Sequence, residues 1–147
     1  MVPAASILVV DDDPLAREHL EKVLTHDGHR VLAVDCGEDA LECIAAQEFD
    51  LALVDLRLQG MTGMEVLAAL RERAPDTSAV VITAHPSLET VFAALRKGAH
   101  DYLFKPCRLD DLRESVRQGL ERRLQILQER ESAALESRDV EAAEGSV

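Results

Sequence analysis

Five short runs of apolar residues, each followed by polar and turn-forming residues, limit what this chain can fold into. They lie at residues 7–10, 31–34, 51–54, 80–82 and, less apolar, 102–104. A strand with one wet face alternates apolar and polar side chains, so an unbroken run implies cover on both faces. Five buried strands are the expectation. Between them the spacing becomes helical, as in Leu15, His19, Leu20, Val23 and Leu24, or Ala40, Leu41, Ile44 and Ala45. Asp13 before Pro14 reads as a helix cap followed by proline at the first helical position, and Gly28 and Gly98 sit where helices should stop. Strand and helix alternating five times predict an α/β fold with an open parallel sheet, right-handed crossovers and helices on both faces.

The last helix departs from this rhythm. From Leu109 its apolar stripe runs through Leu112, Val116, Leu120, Leu124 and Leu127, beyond what one sheet-covering helix needs. After Leu135, residues 136–147 hold hardly any large apolar side chain and read as a frayed or disordered tail. The expected division is therefore a domain at 1–120 and a C-terminal helical extension and tail at 121–147. At 147 residues, 47% of them apolar, the chain can bury the core of one such domain.

Charge and composition exclude several functions. A net charge of -12 repels DNA phosphate and anionic lipid, and 3% aromatic residues supply few stacking platforms. Direct DNA binding and membrane association are not expected, and no apolar run approaches the ~20 residues that cross a bilayer. Cys36, Cys43 and Cys107 are odd in number and lack CxxC spacing, and no basic-then-apolar leader opens the chain. A reduced, cytoplasmic setting is the expectation.

In an open parallel sheet the ligand crevice lies at the carboxyl ends of the strands. The first run ends in Asp11, Asp12 and Asp13 and the third in Asp55, so several carboxylates should converge. Without a cation, such crowding would force one of them to hold its proton. A hard divalent ion such as Mg²⁺ takes one or two carboxylates together with phosphate oxygens. The fourth run ends in Thr83, a hydroxyl donor, and the fifth is followed by Lys105 and Pro106. The lysine ammonium can offset charge growing on a transferring phosphoryl group. There is no GxxxxGK[ST] and no GxGxxG segment to cradle a nucleotide. The residues suit a phosphoryl group held on a carboxylate.

In order and spacing, LVVDDDP, LALVDLRLQGMTG, VVITAH and DYLFKP resemble the signature segments of response-regulator receiver domains of bacterial two-component systems, over roughly residues 6–118. The resemblance implies the CheY-like, flavodoxin-like doubly wound fold: five parallel strands ordered 2-1-3-4-5 and five helices. It further implies that Asp11 and Asp12 hold Mg²⁺, with Mn²⁺ as a substitute, and that the backbone carbonyl of Arg57 completes the metal site with Asp55. Asp55 would accept the phosphoryl group, Thr83 and Lys105 would bind its oxygens, and Tyr102 would be the aromatic switch. Arg57 and His85 fall at positions that influence phosphoryl lifetime, and the bond between Lys105 and Pro106 is expected to be cis. Partners would be a sensor histidine kinase or phosphotransfer protein and a second copy in a phosphorylation-sensitive homodimer. Such a chain takes part in its own phosphorylation and slow dephosphorylation without being a turnover enzyme. One departure stands in the loop after Asp55, where Leu58, Gln59, Gly60 and Met61 replace the usual L-P-G-M and predict a more mobile loop.

Other readings compete. Asp11-x-Asp13 superficially fits a phosphatase of the haloacid-dehalogenase type with Asp11 as nucleophile, although Leu15 stands where that pattern wants Thr or Val, and neither cap insertion nor late acidic pair is evident. A phosphorylation-independent pseudo-receiver would usually show a degraded acidic site. Taken singly, Asp13 is a helix cap, Tyr102 a packing residue, and Arg57 a solvated side chain. His19, His26, His29 and His100 have no ligand spacing and read as surface or core residues. Past Leu120, the stripe fits either a dimer seam, with Leu120, Leu124 and Leu127 against a twin helix, or an exposed amphipathic tail.

Overall fold

The computed structural model describes residues 4–145. Strands β1 (Ser6–Val10), β2 (Arg30–Val34), β3 (Leu51–Val54), β4 (Ser78–Thr83) and β5 (Asp101–Phe104) alternate with helices. The helices are α1 (Pro14–His26), α2 (Gly37–Ala46), α3 (Gly63–Arg73), α4 (Leu88–Arg96) and α5 (Leu109–Gly145). All strand pairs are parallel, in the order β2-β1-β3-β4-β5 that the resemblance implied.

Side chains of successive residues leave a strand on opposite faces, and each run here divides its apolar residues between two cores. Leu8, Val10, Ala52, Val54, Ala79 and Val81 pack with Ala40 of α2, Val66, Leu67 and Leu70 of α3 and Ala94 of α4. On the opposite face Ile7, Val9, Leu51, Leu53, Val80 and Ile82 pack with Leu20 and Leu24 of α1 and Leu112, Val116 and Leu120 of α5. Three of the five strands are buried as expected; β2 and β5 are half-exposed, because each edge strand has a neighbour on one side only.

The helix ends follow local chemistry. Asp13 accepts from Leu15 N at 3.1 Å with Pro14 next in line, and Thr62 accepts from Glu65 N at 3.2 Å at the start of α3. Gly28 and Gly98 turn the chain out of α1 and α4 with φ of 95° and 86°, which glycine adopts without a Cβ penalty. Leu15 departs from its expected place in the apolar stripe. It is exposed, because the first turn of α1 stands at the rim of the sheet and has no strand beneath it.

Helix α5 is tied to the sheet by more than its apolar stripe. Arg123 donates to Asp50 Oδ1 and to the Asp76 carbonyl, both at 2.8 Å, Arg130 pairs with Asp76, and Arg113 binds Asp27 at 2.9 Å. Gly119 lets the helix come close, since a Cβ there would meet Leu51 Cδ1 at 2.7 Å. One expectation is corrected. Leu120 is buried in the core and so unavailable to a dimer seam, whereas Leu124 is 52% exposed. Helix α5 is described as far as Gly145, in keeping with the helix propensity of Ala, Glu and Arg. Residues 146–147 lie outside the described residues. No helix among the described residues is long and apolar enough to cross a membrane.

Candidate functional site

The sheet ladder continues past the strand ends and fixes the backbone of each acidic residue. Asp11 N donates to Val34 O at 3.1 Å, Asp55 N to Val10 O at 2.9 Å, and Lys105 N to Thr83 O at 2.8 Å. Asp11, Asp12, Asp55, Thr83 and Lys105 therefore meet at one rim. Asp11, Asp55 and Thr83 are buried, and Asp12 is half-exposed. Carboxylate oxygens of Asp11, Asp12 and Asp55 lie within 4.8 Å of one another.

Lys105 holds this cluster together. Its Nζ donates to Asp11 Oδ2 at 2.6 Å and to Asp55 Oδ2 at 2.8 Å. Burial is the largest influence on both ends of this pairing. It pushes the Asp11 carboxyl above the usual carboxylate range, against the opposing pull of Lys105 and of Asp13 N. Burial also works to lower the Lys105 ammonium, but its two carboxylate partners more than offset that, so it titrates above an ordinary lysine.

The remaining oxygens are partly satisfied by backbone. Asp11 Oδ1 accepts from Asp13 N at 3.0 Å, Asp55 Oδ1 from Arg57 N at 3.1 Å, and Thr83 Oγ1 from His85 N at 3.1 Å. The side chains of Arg57 and His85 are exposed beside the rim. Tyr102, on β5, is half-buried, with its Oη 2.7 Å from Thr90 Oγ1 and its ring edge-on to Phe104 at 5.7 Å. The peptide bond between Lys105 and Pro106 is cis.

Asp13 stays outside the cluster. Its carboxylate turns back to Leu15 N, so the pair that a haloacid-dehalogenase reading needs does not converge, and Asp12 stands with Asp11 and Asp55 instead. None of His19, His26, His29 or His100 belongs to the group of Asp11, Asp12 and Asp55. His29 is a core residue whose Nδ1 accepts from Ala5 N at 3.1 Å.

The loop after Asp55, which its sequence marks as more mobile, makes contacts with the start of α2. Gln59 pairs with Cys36 in a parallel bridge, and Met61 N donates to Glu38 Oε1 at 3.1 Å, so the loop is fastened to the start of α2. Three contributors escaped the sequence reading. Glu38 holds the loop, and Arg17 donates to the Asp11 carbonyl at 2.9 Å. Gly63 opens α3 so close beneath Asp55 that a Cβ would collide with the Asp55 carbonyl and Leu56 Cα. Gly63 lay within a recognised segment, and its missing side chain was the signal; Glu38 and Arg17 carry no local signature.

The donor set fits a hard divalent ion: three carboxylates with one oxygen each at close range, at a rim open to further oxygen ligands. The arrangement gathers the Asp55 carboxyl group, the Thr83 hydroxyl and the Lys105 ammonium at one rim.

The chain is similar to several known proteins. Regulatory protein LuxO of Vibrio cholerae is 49% identical over 87 residues, which are 59% of this chain and 19% of that protein. Response regulator protein FleR of Pseudomonas aeruginosa is 39% identical over 103 residues, 70% of this chain and 22% of that protein. The matched segment thus spans about a fifth of these relatives' length. A CheY-like receiver domain protein from Methanospirillum hungatei JF-1 superposes with a TM-score of 0.80 at 29% identity, over 84% of this chain and 98% of its own. The family model of the response regulator receiver domain matches residues 7–117, and with the strand order and acidic rim in agreement, the chain belongs to that family, the receivers of two-component response regulators.

Proposed function

We propose that this receiver accepts a phosphoryl group on Asp55 from the phosphohistidine of a sensor kinase or phosphotransfer protein, or from a small phosphodonor, with Mg²⁺ bound at Asp11, Asp12, Asp55 and the Arg57 carbonyl. The observation that carries this reading is the Lys105 ammonium bridging Asp11 and Asp55. A cation already balances the nucleophile in the resting protein, and the same ammonium stands ready for the charge that a transferring group brings.

Each residue then has a task. The Asp55 carboxylate attacks phosphorus in line as the bond from phosphorus to the donor's imidazole nitrogen breaks. The donor keeps the bonding electron pair and takes up a proton. Thr83 donates its hydroxyl to one phosphoryl oxygen, and Lys105 pairs with another. Bound Mg²⁺ would supply the charge neutralisation that lets an anionic donor approach carboxylates. Arg57 and His85 flank the rim and limit access of water to the acyl phosphate. Thr83 and Tyr102 would relay the change to the surface of α4, β5 and α5, in residues 1–120, with 121–147 as an extension.

The test is labelling by acetyl phosphate followed by intact mass. One phosphoryl group should appear with Mg²⁺ and none with EDTA or in Asp55→Asn. Many turnovers of donor per chain, or labelling that survives Asp55→Asn, would refute the reading in favour of a phosphatase.

A homodimer is the proposed output. Leu88, Phe92 and Leu95 on α4 and Phe104 on β5 are exposed apolar side chains on the face to which Tyr102 belongs, a surface that favours burial against a second copy.

A further inference from the structure

The segment between β4 and α4 is fastened at both ends by hydroxyl groups. At the rim, Thr83 Oγ1 accepts from His85 N. At the helix, Ser87 Oγ accepts from Thr90 N at 3.1 Å and Ser87 N donates to Thr90 Oγ1 at 3.3 Å, a reciprocal cap, while the Thr90 hydroxyl also donates to the Ser87 carbonyl at 3.0 Å. The same Thr90 Oγ1 lies 2.7 Å from Tyr102 Oη. A hydroxyl has one proton to give. When that proton lies on the Ser87 carbonyl the Tyr102 phenol donates to Thr90, and either hydroxyl can serve as donor across the contact.

The cap matters more in α4 than in a longer or deeper helix. It spans nine residues and buries only Ala94 fully, so packing alone holds it weakly. A group that strengthens or releases its first turn therefore sets how firmly α4 sits.

We propose that Thr90 is the positioning residue for Tyr102. Its hydroxyl holds the phenol against the first turn of α4 in the resting protein, so that release of the ring and loosening of the α4 cap are one event. This rests on the reading of Tyr102 as the switch and names its resting partner. When Thr83 turns toward a phosphoryl group on Asp55, it gives up His85 N. The segment loosens at the rim, and the Thr90 contact is what still opposes movement at the other end.

The chain contains one tyrosine and no tryptophan, so its ultraviolet emission reports Tyr102 alone. The experiment follows this emission in the full chain as beryllofluoride is added with Mg²⁺, with ¹⁹F resonance to verify binding. Thr90→Val removes the hydroxyl at nearly constant shape, and Thr90→Ser keeps it. Thr90→Ser should match the unsubstituted protein in resting emission and midpoint. Thr90→Val should begin displaced toward the beryllofluoride end point and half-saturate at about fivefold lower beryllofluoride, since a neutral hydrogen bond favouring the resting state has been removed. A purely structural loss would lower the melting temperature without tightening this midpoint. A midpoint in Thr90→Val that is unchanged or shifts to higher concentration overturns the role of Thr90 and leaves the switch reading standing. An unsubstituted chain whose emission ignores bound beryllofluoride overturns both.

Discussion

Asp12 and Asp13 are neighbours in the chain with opposite assignments: the Asp12 carboxylate stands with Asp11 and Asp55, and that of Asp13 turns away to cap α1 through Leu15 N. Asp12→Ala should therefore weaken Mg²⁺ binding at least about tenfold, whereas Asp13→Ala should cost helix stability of about 1 kcal/mol and leave metal affinity within about twofold. Calorimetric titration with Mg²⁺ and thermal melting read the two effects separately. Equal losses of affinity would overturn the division.

Arg57 and His85 are exposed at the rim beside Asp55 and Thr83. If their bulk keeps an in-line water from the acyl phosphate, replacing both with alanine should shorten its half-life several-fold, and either alone should do part of this. The decay of phosphorylated protein after removal of donor checks it. Half-lives that match in all four proteins would remove the shielding role.

Leu124 is half-exposed on the extension and Leu120 is not available to a partner. Leu124→Glu should weaken a beryllofluoride-dependent dimer by about tenfold or more, given about 1.5–3 kcal/mol for a buried leucine. Light scattering with and without beryllofluoride and Mg²⁺ supplies the mass. A single unchanged mass in the unsubstituted chain would end the dimer proposal.

His29 is buried, and burial outweighs the pull of Asp27 and Asp50 to hold it below its ordinary value of 6.5. The unfolded chain thus takes up the proton first as pH falls. The stability that neutral His29 contributes is present above the ordinary value and is lost as pH drops through it toward the depressed one. His29→Asn places an acceptor where Nδ1 stood and cannot titrate. Its melting temperature should fall less steeply than that of the unsubstituted chain between about pH 7 and pH 5. His100 shifts in the same direction but is common to both proteins, so parallel curves would assign the acid loss elsewhere.

Gly119→Ala should destabilise although alanine is the better helix former. The added Cβ would press on Leu51 Cδ1, which is fully buried. Overpacking of about 1–3 kcal/mol exceeds the gain of about 1 kcal/mol in propensity, so the melting temperature should drop by several degrees. A rise would mean that α5 yields easily at this point.

Much of the fold was legible because burial on both faces leaves a strong local mark. The runs ending at Val10, Val54 and Ile82 are apolar throughout, and they form the buried centre of the sheet. The edges were harder to read. Leu15 fits the helical period of α1 yet has no strand beneath it, since periodicity reports a face and says nothing of where the sheet stops. Asp11, Asp55, Thr83 and Lys105 were legible as strand-end residues. Their mutual distances, and the choice of Asp12 over Asp13, depend on backbone direction within the three residues between β1 and α1. Arg123 with Asp50 and Glu38 with Met61 N link residues far apart in sequence, and such pairs leave no periodic trace.

The course of α5 has a mechanical consequence. It begins beside the rim that holds Lys105, comes closest to the sheet at Gly119, and ends beyond the opposite rim, where Arg123 and Arg130 fasten it. Treated as a straight rod pivoting at Gly119, it has a short arm of about 15 Å to Leu109 and a long arm of about 39 Å to Gly145, at 1.5 Å per residue. A shift of one ångström at the short arm becomes about 2.6 Å at the far tip, and the two arginines act as brakes on that swing.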